Sequence, residues 1–142
     1  MIYTEFLDKL TALRKLRMRM MNEINADLKD ISSRDFTVLN RVCHAKGGLS
    51  MSSISESTGL SNALITSAVD NLESRHLVRR TTGNDRRSYI IKATKAGEQR
   101  YKDIESMLES SFESFFGRMD RQDVEELESL LEKLNRLINK YA

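Results

Sequence analysis

The chain has 142 residues and contains no proline, no tryptophan, one cysteine and two histidines; aromatic residues make up only 6% of it. A single cysteine excludes an intrachain disulfide, and a cytoplasmic protein is the default expectation. Two histidines and one cysteine are too few for a zinc site of the usual nitrogen–sulfur kind, so no metal is expected. Cys43 and His44 are adjacent on a predicted helix, where neighbouring side chains diverge, so they do not make a nucleophile–base pair. No glycine-rich phosphate loop or serine elbow occurs, and we expect neither an enzyme nor a cofactor. No apolar run approaches the length that spans a bilayer, so no membrane partner is expected. Glu5 and Asp8 with no apolar stretch after them argue against a signal peptide. There is no internal repeat and no low-complexity linker.

What is present is a helical, highly charged sequence. Charged residues make up 31%, yet the formal net charge is only +2. Bulk charge therefore does not point to nucleic acid; its distribution does. From Tyr101 to Glu132 there are ten acids and three bases (Lys102, Arg118, Arg121). Between residues 75 and 95 there are seven bases (Arg75, Arg79, Arg80, Arg86, Arg87, Lys92, Lys95) and one acid, Asp85. Charge separated in this way lets one face meet phosphate while the other stays in solvent.

The stretch from Leu49 to Ala93 organises the rest. Met51 to Thr58 is short and polar around Ile54, with small Ser55 beside it. Gly59 supplies a turn that needs positive φ, and Ser61 is an N-cap for the next helix. From Asn62 to Arg75, at roughly 100° per residue, Leu64, Ile65, Ala68, Val69 and Leu72 fall in one half-turn. Asn62, Ala63, Thr66, Ser67, Asp70 and Asn71 fall in the other. The first face is suited to burial. The second is short and polar and suits hydrogen bonding to base edges. A solvated surface of an amphipathic helix has the same pattern; the neighbouring residues favour the base-reading interpretation. Leu77–Thr82 and Ser88–Ala93 form two strands joined through Gly83 and Asn84, which tolerate positive φ. A hairpin tip with two arginines fits a narrow minor groove. The plainer interpretation is an edge hairpin charged against aggregation.

These residues resemble the MarR family of dimeric transcriptional regulators. The resemblance is carried by Leu60-Ser61, Thr66, Val69–Glu73, Leu77–Arg80, the Asp85-Arg86-Arg87 run, and Ala93-Thr94 with Gly97. It implies a mainly α fold with a small β-wing: a winged helix-turn-helix lobe with N- and C-terminal dimerisation helices. One domain spans 1–142, with the lobe at 31–93 and the dimerisation region at 1–30 and 94–142. It also implies that Asn62, Ala63, Thr66 and Ser67 face the major groove. Either Arg86 or Arg87 enters the minor groove, braced by Asp85. The candidate DNA-binding residues are Ser61, Asn62, Ala63, Thr66, Ser67, Asn71, Arg79, Asp85, Arg86 and Arg87. Three departures stand out: His76 where relatives often have glycine, no proline in the wing, and a reading face that carries Asp70 but no Arg or Lys.

The flanks are helical. Phe6, Leu10, Leu13, Leu16, Met20 and Ile24 recur along Thr4 to about Lys29, with Leu7, Met18 and Met21 widening the stripe. Ser32 or Ser33 caps a second helix whose apolar side is Phe36, Leu39, Val42 and Cys43, ending at Gly47-Gly48. Leu49-Ser50 makes a short extended link to the wing sheet. Thr94 caps a long helix marked by Tyr101, Ile104, Leu108, Phe112 and Phe115, which Gly117 breaks. After Asp120, Leu127, Leu130, Leu134, Leu137 and Tyr141 alternate steps of three and four, as in a coiled-coil seam. The terminal helices offer more apolar surface than so small a lobe covers, so a homodimer is expected.

The expected function is a ligand-responsive repressor that binds double-stranded DNA at a pseudo-palindromic promoter site. By the resemblance, its effector is a small aromatic or anionic molecule. Two other readings remain: a dimeric protein-interaction module that uses the winged face, and a regulator that senses oxidants through Cys43. Salt separates DNA from protein binding, because phosphate contacts release counterions. Arg86→Ala with Arg87→Ala should weaken binding to every duplex and flatten the salt slope by about one per lost phosphate contact. Replacing Thr66 should instead change which duplexes are preferred. Binding of each variant to a panel of duplexes across a salt series checks both.

Overall fold

The computed structural model describes residues 2–28, 30–83 and 88–141, with the backbone alone for Asp27. The described elements run in the order α1 (Tyr3–Asp27), α2 (Ser33–Cys43), β1 (Leu49–Ser50), α3 (Met51–Thr58), α4 (Asn62–Ser74), β2 (Val78–Thr82), β3 (Tyr89–Ala93), α5 (Lys95–Phe116) and α6 (Arg121–Tyr141). This is the expected mainly α fold with a small antiparallel sheet; its element ends fall close to those read from the sequence, except that α2 stops at Cys43, ahead of Gly47-Gly48. The wing turn at Asn84 and the residues Asp85, Arg86 and Arg87 lie outside the described residues.

The chain divides into two compact bodies, residues 1–108 and 109–142. The sequence placed the DNA-binding lobe at 31–93; the compact body is longer at both ends. Ile104 of α5 is fully buried in its core, and Leu28 and Ile31 before α2 are buried there too. Tyr101 and Leu108 pack against the same core. The first half of α5 therefore belongs with the winged lobe, because burying Ile104 outweighs a boundary suggested by the cap at Thr94.

The core of this body is assembled on α4. Ile65, Ala68, Val69 and Leu72 are buried against Val38, Leu39 and Val42 of α2, Ile54 of α3, Val78 of β2 and Ile91 of β3. Each such side chain contributes roughly 1.5–3 kcal/mol when fully buried, less for alanine. Leu64 departs from the reading: it is 41% exposed. It lies roughly 90° from the centre of the buried arc at ~100° per residue, so the core passes it by.

The turn into α4 is fixed by small polar groups. Gly59 adopts φ +69°, the left-handed conformation that ends α3. The Ser55 hydroxyl donates to the Leu60 carbonyl at 2.9 Å, so the small residue of α3 ties the turn as well as giving it room. The Ser61 Oγ accepts from the Leu64 amide at 3.3 Å and starts α4. Ser32, rather than Ser33, caps α2 through the Asp35 amide.

The sheet has the order β1-β3-β2, both pairs antiparallel. Leu49 pairs with Ile91, and the wing register runs from Val78 opposite Ala93 to Thr82 opposite Tyr89. Alternation along β2 therefore turns Val78 and Arg80 to one side and Arg79 to the other.

The exit from α4 contains the departure noted at His76. Its φ is +60°, so a histidine occupies the left-handed position. The His76 amide donates to the Glu73 carbonyl at 2.9 Å and the Leu77 amide to the Leu72 carbonyl at 3.0 Å. Together these make a Schellman closure. The Thr94 hydroxyl then donates to the His76 carbonyl at 2.6 Å and accepts from the Gly97 amide at 3.0 Å, joining this corner to the start of α5. A Cβ on Gly97 would sit 1.9 Å from the Leu77 carbonyl oxygen, so only glycine lets the two segments approach.

In the second body, Phe112, Phe115 and Phe116 cluster, with Phe112 and Phe116 ring centres 4.2 Å apart. No residue of α6 is buried; Leu130, Leu131, Leu137 and Ile138 are all exposed. The first body likewise leaves Phe6, Leu7, Leu10 and Met18 of α1 exposed.

Two substitutions probe the α4 exit. His76→Gly should stabilise the protein by about 0.5–1 kcal/mol, relief of the left-handed strain exceeding glycine's extra chain entropy. Gly97→Ala should destabilise it by about 1–3 kcal/mol through overpacking. Urea and thermal unfolding of both variants measure the two effects.

Candidate nucleic-acid interface

The core contacts of α4 decide which of its residues meet solvent. With Ile65, Ala68, Val69 and Leu72 turned inward, Ser61, Asn62, Ala63, Thr66, Ser67, Asp70 and Asn71 are exposed. The structure thus brings five of the ten candidates, Ser61, Asn62, Ala63, Thr66 and Ser67, into one patch on the first two turns. The amides of the first turn are not used within the helix except where Ser61 caps, and such groups suit a phosphate. The Thr66 hydroxyl donates to the Asn62 carbonyl at 2.9 Å. Its proton is spent in the helix, which leaves oxygen lone pairs and a methyl group to face outward. A side chain in that state can accept from a base amine or touch a thymine methyl.

Asn71 is placed differently. Its Nδ2 donates to Asp35 Oδ2 at 3.4 Å, across to the start of α2. Asp35 is the buried charged residue of this core, and Arg34 Nε contacts its other oxygen at 3.5 Å. Asn71 thus lies on the flank of α4 toward α2 and satisfies a buried carboxylate. Arg79 is exposed on the outer side of β2. The remaining candidates, Asp85, Arg86 and Arg87, lie outside the described residues.

The residue that sequence reasoning passed over is Arg80. Its Nη1 donates to Glu73 Oε1 at 2.6 Å and its Nη2 to Asp70 Oδ1, while its backbone amide donates to Glu73 Oε2 at 3.0 Å. The hydrogen bond with Asp70, opposed by partial burial, raises its already high pKa, so it stays charged. This answers one departure: the acid on the α4 surface is neutralised by an arginine from the adjacent strand. Strand alternation puts Arg80 on the same side as the apolar Val78, but nothing local in the sequence names Asp70 and Glu73 as its partners. Arg75 also has an acid partner, Asp30, at 3.8 Å, and Arg100 contacts the same carboxylate.

Cys43 borders a cleft of about 280 Å³ together with Lys46, Lys92 and Glu98. Burial, with Glu98 nearby, pushes its thiol up to about 11. A thiol so placed is almost wholly protonated at neutral pH, and the thiolate is the reactive form. Tyr101, stacked on Phe36 at 5.8 Å and edge-on to His44 at 5.3 Å, is likewise pushed up to about 12 by burial and its hydrogen bond with Glu105. Among the described residues no group of three or more His, Cys, Asp or Glu side chains is arranged to hold a metal ion. No described helix is long and apolar enough to cross a membrane.

Comparison with known proteins agrees with this geometry. The model of the MarR family matches residues 29–88. An uncharacterised HTH-type transcriptional regulator of Bacillus subtilis, YpoP, is 33% identical over 135 residues, covering 94% of this chain and 93% of that protein. The structure of a MarR transcriptional regulator from Methanosarcina mazei Go1 superimposes with a TM-score of 0.84 at 23% identity, covering 97% of this chain and 99% of the other. BpsR of Bordetella bronchiseptica, whose DNA binding is regulated by 6-hydroxynicotinic acid, superimposes with a TM-score of 0.79 at 19% identity, covering 90% and 98% of the two chains.

The Cys43 thiol should react with iodoacetamide slowly at pH 7, with a rate that rises about ten-fold per pH unit toward pH 11, because only the thiolate attacks. A rate already on a plateau near pH 8 would show an activated cysteine instead.

Proposed function

Because the chain belongs to the MarR family of regulators, we propose that it binds double-stranded DNA sequence-specifically, as a cytoplasmic homodimer on a pseudo-palindromic promoter site, and represses transcription there. The observation that carries this reading is the exposed patch Ser61, Asn62, Ala63, Thr66 and Ser67 on a helix whose opposite face is locked into the core. Short polar side chains on a rigid rod can enter a major groove without ordering long stems. In this reading Arg79 and the wing residues Asp85, Arg86 and Arg87 serve the flanking backbone and minor groove. Asn71 acts on the same surface through its bond to Asp35.

Support for the dimer comes from the apolar residues each body leaves in water. An exposed coiled-coil seam on α6 and an exposed stripe on α1 are costly in a lone subunit, and larger apolar patches mark interaction sites. Residues 1–30 and 94–142 would carry this contact, the first half of α5 serving the lobe as well. A two-fold dimer sets two recognition helices about 34 Å apart, one turn of DNA. Support for a ligand comes from the relative whose DNA binding is regulated by 6-hydroxynicotinic acid, a small aromatic acid. Such a molecule would act by favouring a helix spacing that no longer matches successive grooves.

Selection of duplexes from a random pool by the full-length protein, with its mass measured in solution, tests the proposal. The expected result is twice the 16.3 kDa chain mass and an inverted repeat with half-sites about 10 base pairs apart. A lone subunit that enriches no sequence would overturn it.

A further inference from the structure

Arg80 sits where a phosphate contact would be expected, on a basic hairpin directly after a polar helix. Three observations assign it another task. First, strand alternation turns it inward with Val78, and its side chain is 23% exposed. Second, both its main chain and its side chain are held by one carboxylate: Glu73 accepts the Arg80 amide at 3.0 Å and the guanidinium at 2.6 Å. A strand gripped at both points cannot pivot about either. Third, the guanidinium also reaches Asp70, three residues from Glu73 and on the same side of α4. The two helix acids and the strand arginine thus form a tripod between the recognition helix and the wing. A guanidinium already shared by two carboxylates has little charge left for a phosphate.

We propose that Arg80 is a positioning residue, through which Glu73 and Asp70 of α4 hold the β2–β3 hairpin at one angle to the recognition helix, so that both elements meet DNA as a single rigid reader. This rests on the DNA-binding reading above. It differs from a phosphate-anchor role in what charge does. Loss of an anchor lowers the salt slope of log affinity by about 0.9 per contact, or about 1.8 for a dimer. Loss of a positioning tie lowers the affinity for the right sequence, leaves the slope alone, and does so whichever charge is removed.

The test uses full-length Glu73→Gln and Arg80→Met proteins on a duplex recovered by selection and on its scrambled version, over a series of salt concentrations. Both variants should lose about ten-fold in affinity for the selected duplex, a loss of the size a mismatched base pair produces. Affinity for the scrambled duplex and the salt slope should stay as in the unaltered protein. Glu73→Gln is the sharper arm, because it makes the protein more positive. If charge alone governed binding, it would bind both duplexes more tightly, and that result overturns the proposal. A slope reduced by about 1.8 in Arg80→Met also overturns it. So does a lowered melting temperature with the ratio of the two affinities unchanged, which would make the tripod merely structural. Should Arg80→Met fail to fold, Glu73→Gln decides alone. An unaltered protein that prefers neither duplex removes the DNA-binding reading itself, and this inference with it.

Discussion

The burial of four side chains on one side of α4, Ile65, Ala68, Val69 and Leu72, is the constraint on which the first body depends. Three elements, α2, α3 and β2, pack on that face and take their positions from it. The same contacts fix the helix rotationally, so what the opposite face displays follows from what this face hides. A helix free to roll by one residue would turn about 100° and bring Ile65 and Val69, or in the other direction Leu64, to the side that now carries Asn62, Thr66 and Ser67. What the polar patch displays is therefore a consequence of apolar packing.

Both ends of α4 are tied by short-range polar closures. At the entry, Ser55 and Ser61 set the angle of the turn that begins with the left-handed Gly59. At the exit, a left-handed His76, a hydroxyl from Thr94 and the absence of a side chain on Gly97 let the strand, the helix and α5 converge at one corner. The exit holds a strained residue and the entry does not. The surrounding bonds, two backbone closures and the Thr94 hydrogen bond, are what keep histidine in a conformation it seldom adopts.

The basic hairpin becomes a different object once folded. Counted along the chain, seven bases face one acid between residues 75 and 95. In space, Asp70 and Glu73 from α4 and Asp30 from the link after α1 come up to Arg75 and Arg80. Two of the seven cations thereby acquire structural partners. Arg79, by contrast, stays exposed on the outer side of β2. Partly buried ion pairs of this kind contribute more to geometry than to net stability, since desolvation offsets much of the attraction.

Much of this was legible from the sequence alone. Periodicity, caps and turn residues located the described helices and strands, because these signals are local: a buried face repeats every three or four residues, and Ser32, Ser61, Gly59 and Thr94 act within a turn of themselves. The exposed patch of Ser61, Asn62, Ala63, Thr66 and Ser67 followed from the same periodicity. Tertiary structure alone decided four matters, and each turns on partners distant in the chain. Ile104 joined the lobe because buried side chains from residues 28 to 91 pack around it. Leu64 stayed in water because packed elements covered only part of the apolar arc. Asn71 turned to Asp35, a buried carboxylate 36 residues earlier. Arg80 turned to the helix rather than outward, because the sheet's register aimed it at two acids that no count of neighbouring charges could bring beside it.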